Sequence, residues 1–244
     1  MTKTAIIIPA RYASKRLPGK PLLEVNGKTI IQRVWEKAKS VKSADEVIIA
    51  TDSKEIFDKA KSFGANVEMT KETHKCGSDR IAEVAERHSD FSYIINLQGD
   101  EPMIKPECVE AVITAIKSDN NADISTLITD MKDDDKEDPN AVKCVTDVNG
   151  YAMYFSRSKI PYERNFDIAV FYKHIGIYGY KREALFKMLS LPQAMIEKAE
   201  SLEQLRALYN GMKIKTTVVE YNSIGIDTIE DFNNFKKQIE AEEK

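Results

Sequence analysis

Ala5-Ile6-Ile7-Ile8-Pro9-Ala10-Arg11 begins with an apolar run that ends abruptly in a proline, and a cation follows two residues later. A short apolar run without a polar face is typical of a strand that is covered on both sides. Strand patterns and amphipathic helical patterns then alternate as far as Asp130, which indicates a mostly parallel sheet between layers of helices. We therefore predict an α/β fold, a three-layer α/β/α sandwich with a mostly parallel mixed sheet.

The pattern changes after Asp130. Two strand-like segments, Val142–Thr146 and Tyr151–Ser156, flank Asn149-Gly150, a pair that indicates a β-hairpin. We predict an antiparallel excursion within residues 130–180, and its aromatic side chains make it a candidate surface for dimerisation. Since no repeat or flexible linker interrupts the chain, residues 1–244 are predicted to form a single domain.

Composition excludes several classes of protein. With 36 basic and 39 acidic side chains, the formal net charge of -3 argues against a nucleic-acid-binding protein held by phosphate contacts. The first apolar run is too short for a signal peptide or a membrane span. Three cysteines, Cys76, Cys108 and Cys144, form neither a CxxC pair nor a disulfide framework. We expect a soluble protein of the reducing cytoplasm, without membrane insertion.

The loop after the first strand is the strongest candidate for a ligand site. Loops at the carboxyl ends of strands hold the ligands of open α/β sheets. From Pro9 to Lys20 this loop carries four cations, a serine and a glycine. Such a loop can bind a polyphosphate through charge-assisted hydrogen bonds. The sequence has neither a P-loop nor a GxGxxG motif, so charge alone leaves a solvated basic loop as an equal alternative.

Ordered segments along nearly the whole chain resemble one family. They are Ile8-Pro9-Ala10-Arg11, Arg16-Leu17-Pro18-Gly19-Lys20-Pro21-Leu22, Ile95-Asn96-Leu97-Gln98-Gly99-Asp100-Glu101-Pro102, Tyr154-Phe155-Ser156-Arg157-Ser158, Ile160-Pro161-Tyr162, Lys173-His174-Ile175-Gly176-Ile177-Tyr178, Glu200-Ser201-Leu202-Glu203-Gln204-Leu205-Arg206 and Gly225-Ile226-Asp227-Thr228. In this order they resemble the 3-deoxy-manno-octulosonate (Kdo) cytidylyltransferases, the CMP-Kdo synthetases. The resemblance implies a nucleotide-diphospho-sugar transferase-like fold, a homodimer, and transfer of CMP from CTP to Kdo for lipopolysaccharide synthesis.

The resemblance also implies roles for the loop residues. Those expected to bind the nucleotide are Pro9, Ala10, Arg11, Ser14, Arg16, Lys20, Ser78 and Arg80. Those expected to be catalytic are Arg11, Lys20, Asp100 and Asp227. Nucleotidyl transfer depends mainly on positioning and on neutralising charge in the transition state, so fixed cations suit the reaction and no covalent intermediate is needed.

Asp100 and Asp227 are the expected Mg²⁺ ligands. Asp100 follows a buried strand, and Mg²⁺ prefers one or two protein carboxylates together with phosphate oxygens and water. Each residue has a structural alternative. Asp100 can be a strand-end turn residue, and Asp227, taken alone, reads as the N-cap of the last helix. The sequence does not decide between one metal ion and two.

The segment around Cys76 resembles the part of the family that lies beside the cytosine. Cys76 stands where serine is expected, and Ser78 where threonine is usual, so position 76 offers a thiol in place of a hydroxyl. Arg80 is expected to support the base. The alternative is an ordinary helix N-terminus, with Asp79 in its first turn and an exposed Arg80.

The acceptor sugar is expected to bind to residues that match family positions. They are Gln98, Arg157, Arg164, His174, Tyr178, Glu203 and Gln204. Taken singly, His174 reads as a structural histidine and Glu203 and Gln204 as the solvent face of a helix. The sequence does not distinguish Kdo from 8-amino-Kdo. Sialic acid remains an alternative acceptor, and a non-catalytic nucleotide-binding protein is a more distant one.

Overall fold

A computed structural model describes residues 2–13, 16–165, 168–221 and 225–243. The chain forms two compact units: Met1–Glu110 with Ser223–Lys244, and Ala111–Asn222. The single-domain organisation stays a prediction. Within the described ranges, no helix combines the length and the apolar character that a membrane crossing requires.

The first unit alternates strands and helices as predicted. In chain order its elements are β1 (Lys3–Ala10), β2 (Glu24–Val25), β3 (Lys28–Thr29), α1 (Ile30–Lys39), β4 (Glu46–Thr51), α2 (Lys54–Ser62), β5 (Asn66–Met69), α3 (Gly77–Arg87) and β6 (Phe91–Asn96), and α4 (Pro106–Ser118) follows them. The four longer strands are parallel in the order β6-β1-β4-β5, whereas β2 and β3 form a small separate antiparallel pair.

Strand β1 lies inside this parallel sheet because both of its edges are paired and its side chains are apolar. Strand β1 pairs with β4 along one edge and with β6 along the other. The side chains of Ala5 to Ile8 are fully buried, as the unbroken apolar run predicts. Parallel strands share one carboxyl edge, so the loops that follow β1, β4, β5 and β6 all begin at that edge.

The second unit carries the predicted antiparallel hairpin. Its elements are β7 (Ile124–Asp130), β8 (Lys143–Thr146), β9 (Ala152–Ser156), β10 (Tyr172–Lys181), α5 (Arg182–Ser190), α6 (Met195–Glu200), α7 (Gln204–Tyr209) and β11 (Ile214–Val218). Strands β8 and β9 are antiparallel, and Gly150 adopts a φ of 76° in the turn between them. Strand β7 is parallel to β11 and antiparallel to β10, so the sheet is mixed.

The last helix, α8 (Ile229–Glu242), returns to the first unit. Its apolar face packs Phe235 and Ile239 against Val25 and Ile30. The N-cap is Thr228, whose hydroxyl accepts a hydrogen bond from the Asp231 N–H while the Asp231 carboxylate accepts from the Thr228 N–H. The interpretation of Asp227 as the N-cap is therefore wrong, because the adjacent hydroxyl takes that position.

An ion pair holds the other end of α8. Arg33 Nη1 donates to Glu243 Oε1 at 2.8 Å, and Asn26 Nδ2 donates to Glu243 Oε2 at 2.7 Å. The hydrogen bond from Arg33 is the main reason that the pKa of Glu243 falls from 4.5 to about 2. The ionised carboxylate therefore stabilises the folded chain above pH 4.5, and this contribution disappears as the pH falls towards about 2.

We expect Glu243→Gln to lower the melting temperature at neutral pH and to lose this effect progressively in acid. Thermal unfolding of both proteins across this pH range measures the difference. Glu240→Gln, on the same helix, controls for the loss of a surface charge. A difference between Glu243→Gln and the parent that stayed constant down to the acid limit would contradict the assignment.

Candidate active site

The basic loop after β1 closes on itself before it enters a short 3₁₀ turn, Lys20–Leu22. The Gly19 N–H donates to the Tyr12 carbonyl at 3.1 Å, and Gly19 adopts a φ of 68°, which costs glycine little because it has no Cβ. This closure brings Lys20 back towards the end of β1, with only 9% of its surface exposed.

The loop after β6 lies directly against the end of β1. A Cβ added at Gly99 would lie 2.9 Å from the Pro9 carbonyl oxygen, so the close approach of the two loops requires glycine. The next residue, Asp100, accepts a hydrogen bond from the Ile226 N–H at 2.9 Å. This backbone contact brings Asp227, distant in sequence, to the same edge of the sheet.

Lys20 joins the two acidic residues. Its Nζ lies 2.7 Å from Asp100 Oδ2 and 3.2 Å from Asp227 Oδ1. Arg16 Nη2 lies 2.8 Å from the other oxygen of Asp227. The Lys20 side chain is only 11% exposed, so solvent screens this charge cluster less than it would screen a surface ion pair.

The N-terminus of α3 forms another wall. Cys76 is its N-cap, with Sγ accepting from the Asp79 N–H at 3.4 Å, and Gly77 lies against the Pro9 ring. Arg80 is 2% exposed, and its guanidinium donates to Asp52 Oδ2 and to Thr70 Oγ1. The alternative of an exposed Arg80 is wrong, because these two acceptors hold the side chain inward.

Together these loops enclose a cavity of about 400 Å³ in the first unit. The predicted residues that line it are Pro9, Ala10, Arg11, Arg16, Lys20, Arg80, Gln98, Asp100 and Asp227. Arg11, Arg16 and Lys20 face the two carboxylates, and this excess of positive charge favours an anionic ligand. A cavity of this size is typical of small-molecule sites.

Two predicted nucleotide-binding residues are not placed on this cavity. Ser14 lies outside the described residues. Ser78 is 2% exposed and is not among the described residues that line the cavity. Conversely, sequence reasoning missed Asp52 and Thr70 as partners of Arg80. The position of Asp52 and Thr70, directly after β4 and β5, could have pointed to them.

Among the remaining predicted sugar-binding residues, His174 and Tyr178 are neighbours on β10 in the second unit. Their ring centroids are 5.4 Å apart, and His174 Nε2 lies 2.9 Å from Thr126 Oγ1. Burial lowers the pKa of His174 to about 3, so the imidazole is neutral at pH 7. Burial, reinforced by the nearby Glu203 carboxylate, raises the pKa of Tyr178 far above its usual range. Both side chains therefore act as neutral hydrogen-bonding groups.

The other predicted sugar-binding residues of the second unit differ in their surroundings. Arg157 is anchored, with Nε donating to the Glu200 carbonyl at 2.8 Å and Nη1 to the Pro139 carbonyl at 2.9 Å. Arg164 is exposed. Gln204 is buried at the start of α7, and its Nε2 has no hydrogen-bond partner among the described residues. Such an orphaned donor is costly unless a ligand or water accepts from it.

Cys76 is the accessible thiol of the cavity. Burial raises the pKa of Cys108 to about 11 and that of Cys144 to about 12, and both side chains are nearly inaccessible. Cys76 is partly exposed and lines the cavity. Since the thiolate is the reactive form, alkylation of the native protein should be confined to Cys76.

We expect one equivalent of N-ethylmaleimide to modify Cys76 and to block nucleotide binding by filling the cavity. Intact-mass spectrometry measures the labelling, and added CTP should slow it. The Cys76→Ser variant keeps an N-cap oxygen and should resist both labelling and inactivation. Labelled protein that bound CTP as well as unlabelled protein would contradict this prediction.

The fold and the cavity fit a nucleotidyltransferase of the α/β class, and comparisons with known proteins show that class. The sequence pattern of the family described as Cytidylyltransferase matches residues 5–214. A 3-deoxy-manno-octulosonate cytidylyltransferase of Thermodesulfovibrio yellowstonii is 48% identical over 96% of this chain and 97% of its own. A protein of the same name from Escherichia coli is 44% identical over 93% of this chain and 92% of its own.

A solved structure gives the same result. A CMP:2-keto-3-deoxy-manno-octonic acid synthetase in complex with CTP is 41% identical, with a TM-score of 0.95 over 99% of this chain and 100% of its own. This likeness confirms the predicted fold class. The chain belongs to the 3-deoxy-manno-octulosonate cytidylyltransferase family.

Proposed function

We propose that this protein transfers CMP from CTP to the anomeric hydroxyl of Kdo, with release of pyrophosphate and formation of CMP-Kdo. The observation that carries the proposal is the position of the Lys20 ammonium group. It lies between Asp100 and Asp227 in a cavity that Arg11 and Arg16 also line. Membership of the family and the named relatives support the same reaction.

The reaction is an in-line displacement at the α-phosphorus of CTP. A bond forms between the anomeric oxygen and the α-phosphorus, the hydroxyl proton passes to water, the bond from this phosphorus to the α,β-bridging oxygen breaks, and pyrophosphate leaves. Lys20, Arg11 and Arg16 offer fixed cationic donors to the phosphate oxygens, where negative charge accumulates.

The carboxylates fit a magnesium site. Asp100 and Asp227 both contact the ammonium group of Lys20, so the pair already faces one positive charge. Mg²⁺ accepts two carboxylates when phosphate oxygens and water complete its coordination. We assign Asp100 and Asp227 as the protein ligands. When bound, Mg²⁺ would neutralise phosphate charge and favour loss of the proton from the attacking hydroxyl.

The predicted sugar-binding residues of the second unit are proposed to recognise the acceptor. Arg157 and Arg164 are the cations suited to its carboxylate. The buried Nε2 of Gln204 and the neutral His174 and Tyr178 are suited to its hydroxyl groups. Because these groups are neutral, they can orient the sugar hydroxyls without introducing another charge.

We further propose a cytoplasmic homodimer whose product serves lipopolysaccharide synthesis. Large apolar side chains are exposed on the second unit, among them Met153, Tyr162, Ile168 and Val170, and a partner surface would cover them. The three free cysteines fit a reducing compartment. Sedimentation velocity across micromolar concentrations tests the dimer, and a monomer throughout would contradict it.

The reaction is tested by pyrophosphate release from CTP and Mg²⁺ with three acceptors: Kdo, 8-amino-Kdo and sialic acid. We expect release with Kdo. Release only with 8-amino-Kdo or only with sialic acid would replace the acceptor and keep the reaction. No release with any of the three would overturn the proposed enzyme activity.

A further inference from the structure

Asp52 supports the cavity without lining it. It directly follows β4, whereas Thr70 directly follows β5, and both accept hydrogen bonds from the guanidinium of Arg80 on α3. Thr51 and Thr70 are joined by a backbone hydrogen bond of 2.8 Å, so the two acceptors belong to adjacent, rigid strand ends. Arg80 itself lines the cavity.

The ion pair with Asp52 determines what Arg80 can do. The Arg80 side chain is 3% exposed and that of Asp52 is 16% exposed. A buried guanidinium needs a carboxylate partner, because an unpaired buried charge is strongly unfavourable. Asp52 and Thr70 engage two of the five N–H donors of the guanidinium and fix its plane. With its charge balanced, Arg80 is better suited to a neutral ligand group than to a phosphate.

We propose that Asp52 is a positioning residue for nucleotide selection, which it exerts through Arg80. The inference rests on the proposed use of CTP. Cytosine presents two adjacent acceptors, O2 and N3, to a fixed pair of N–H donors, whereas N3 of uracil carries a hydrogen. A guanidinium held in one plane therefore favours cytosine over uracil. When the Asp52 carboxylate is removed, the plane of the Arg80 guanidinium can rotate, and the preference for cytosine over uracil weakens.

The test compares nucleotide binding and selectivity among variants. Isothermal titration calorimetry measures the Kd for CTP, and pyrophosphate release gives kcat/KM for CTP and UTP. For Asp52→Ala we expect a rise of about 10- to 100-fold in the Kd for CTP, the usual scale for a hydrogen bond to a charged group. The ratio of kcat/KM for CTP to that for UTP should fall, while the KM for the sugar stays unchanged. Asp52→Asn keeps one acceptor oxygen, so its Kd for CTP should lie between that of the parent and that of Asp52→Ala.

A double-variant cycle separates positioning from general damage. If Asp52 acts through Arg80, adding Asp52→Ala to Arg80→Ala should change the Kd for CTP by less than about twofold. Asp58→Ala is the matched control, because Asp58 is an exposed α2 residue paired with Lys54 at 2.8 Å. Thermal unfolding monitors folding, and if Asp52→Ala fails to fold, Asp52→Asn and Thr70→Val take its place.

Two results would overturn the inference. One is an unchanged ratio of kcat/KM for CTP to that for UTP in folded Asp52 variants. The other is a double variant in which the effects of Asp52→Ala and Arg80→Ala on the binding free energy of CTP add. Failure of the proposed function looks different, because the parent protein would then bind CTP but release no pyrophosphate. The Kd for CTP against the Kd for UTP would still decide the role of Asp52 in that case.

Discussion

Replacing Lys20 by methionine is expected to lower kcat/KM for CTP by about 10²- to 10³-fold, the usual effect of removing one fixed donor from a transition-state site. Methionine keeps the length of the apolar stem and removes the ammonium group. That group lies within 3.2 Å of both acidic residues, and its side chain is 11% exposed. The substitution therefore removes a positive charge from the proposed phosphate site and leaves Asp100 and Asp227 without their shared partner.

Steady-state pyrophosphate release measures this effect, with thermal unfolding as a check on folding. Lys28→Met is the matched control. Lys28 lies on β3, is 44% exposed and pairs only with Glu36 in the ion pairs described, at 2.8 Å. An exposed pair of this kind contributes little, so the control should keep its activity. Activity of Lys20→Met within about threefold of the parent, below the usual effect of such a donor, would exclude Lys20 from the reaction.

The parts of the fold that sequence predicts well are those governed by local pattern. The apolar run of β1 indicates a strand covered on both faces, and Asn149-Gly150 indicates the hairpin. Ala5 to Ile8 are fully buried, and β8 and β9 form the hairpin. Helices α5 and α6 were not predicted. Neither Lys181 nor Ala194, their N-caps, supplies a side-chain cap. The buried Glu197–Arg206 ion pair, which joins α6 to α7, is a tertiary contact that local sequence does not reveal.

The site shows the same division. Arg11, Arg16 and Lys20 follow the first strand, so their shared cavity follows from the rule that ligands lie at carboxyl edges. Asp227 follows from the family resemblance, and the structure supplies the physical reason: the Ile226 N–H contact with the Asp100 carbonyl. The burial of Arg80 could not be read from sequence, because its partners come from two other strand ends. The binding roles of these residues stay predictions.

The second large effect is expected for Asp100→Asn, which replaces a carboxylate with a neutral amide of nearly the same shape. We expect kcat to fall by about 10²-fold or more even at saturating Mg²⁺, because the amide is a poorer ligand for a hard cation. Calorimetric titration of Mg²⁺ into the CTP complex should also show weaker binding. Asp90→Asn makes the same substitution at an exposed ion pair with Lys3 and should leave both quantities unchanged.

Asp227→Asn should also lower kcat and weaken Mg²⁺ binding, but by less than Asp100→Asn. Asp227 is 47% exposed against 31% for Asp100, and it lies farther from Lys20, at 3.2 Å against 2.7 Å. A charge nearer to solvent is screened more, so its removal changes the field at the phosphates less. Full activity of Asp100→Asn at saturating Mg²⁺ would exclude Asp100 as a metal ligand. A larger loss for Asp227→Asn would instead make Asp227 the principal ligand, and Asp100 would then serve chiefly to hold Lys20 in place.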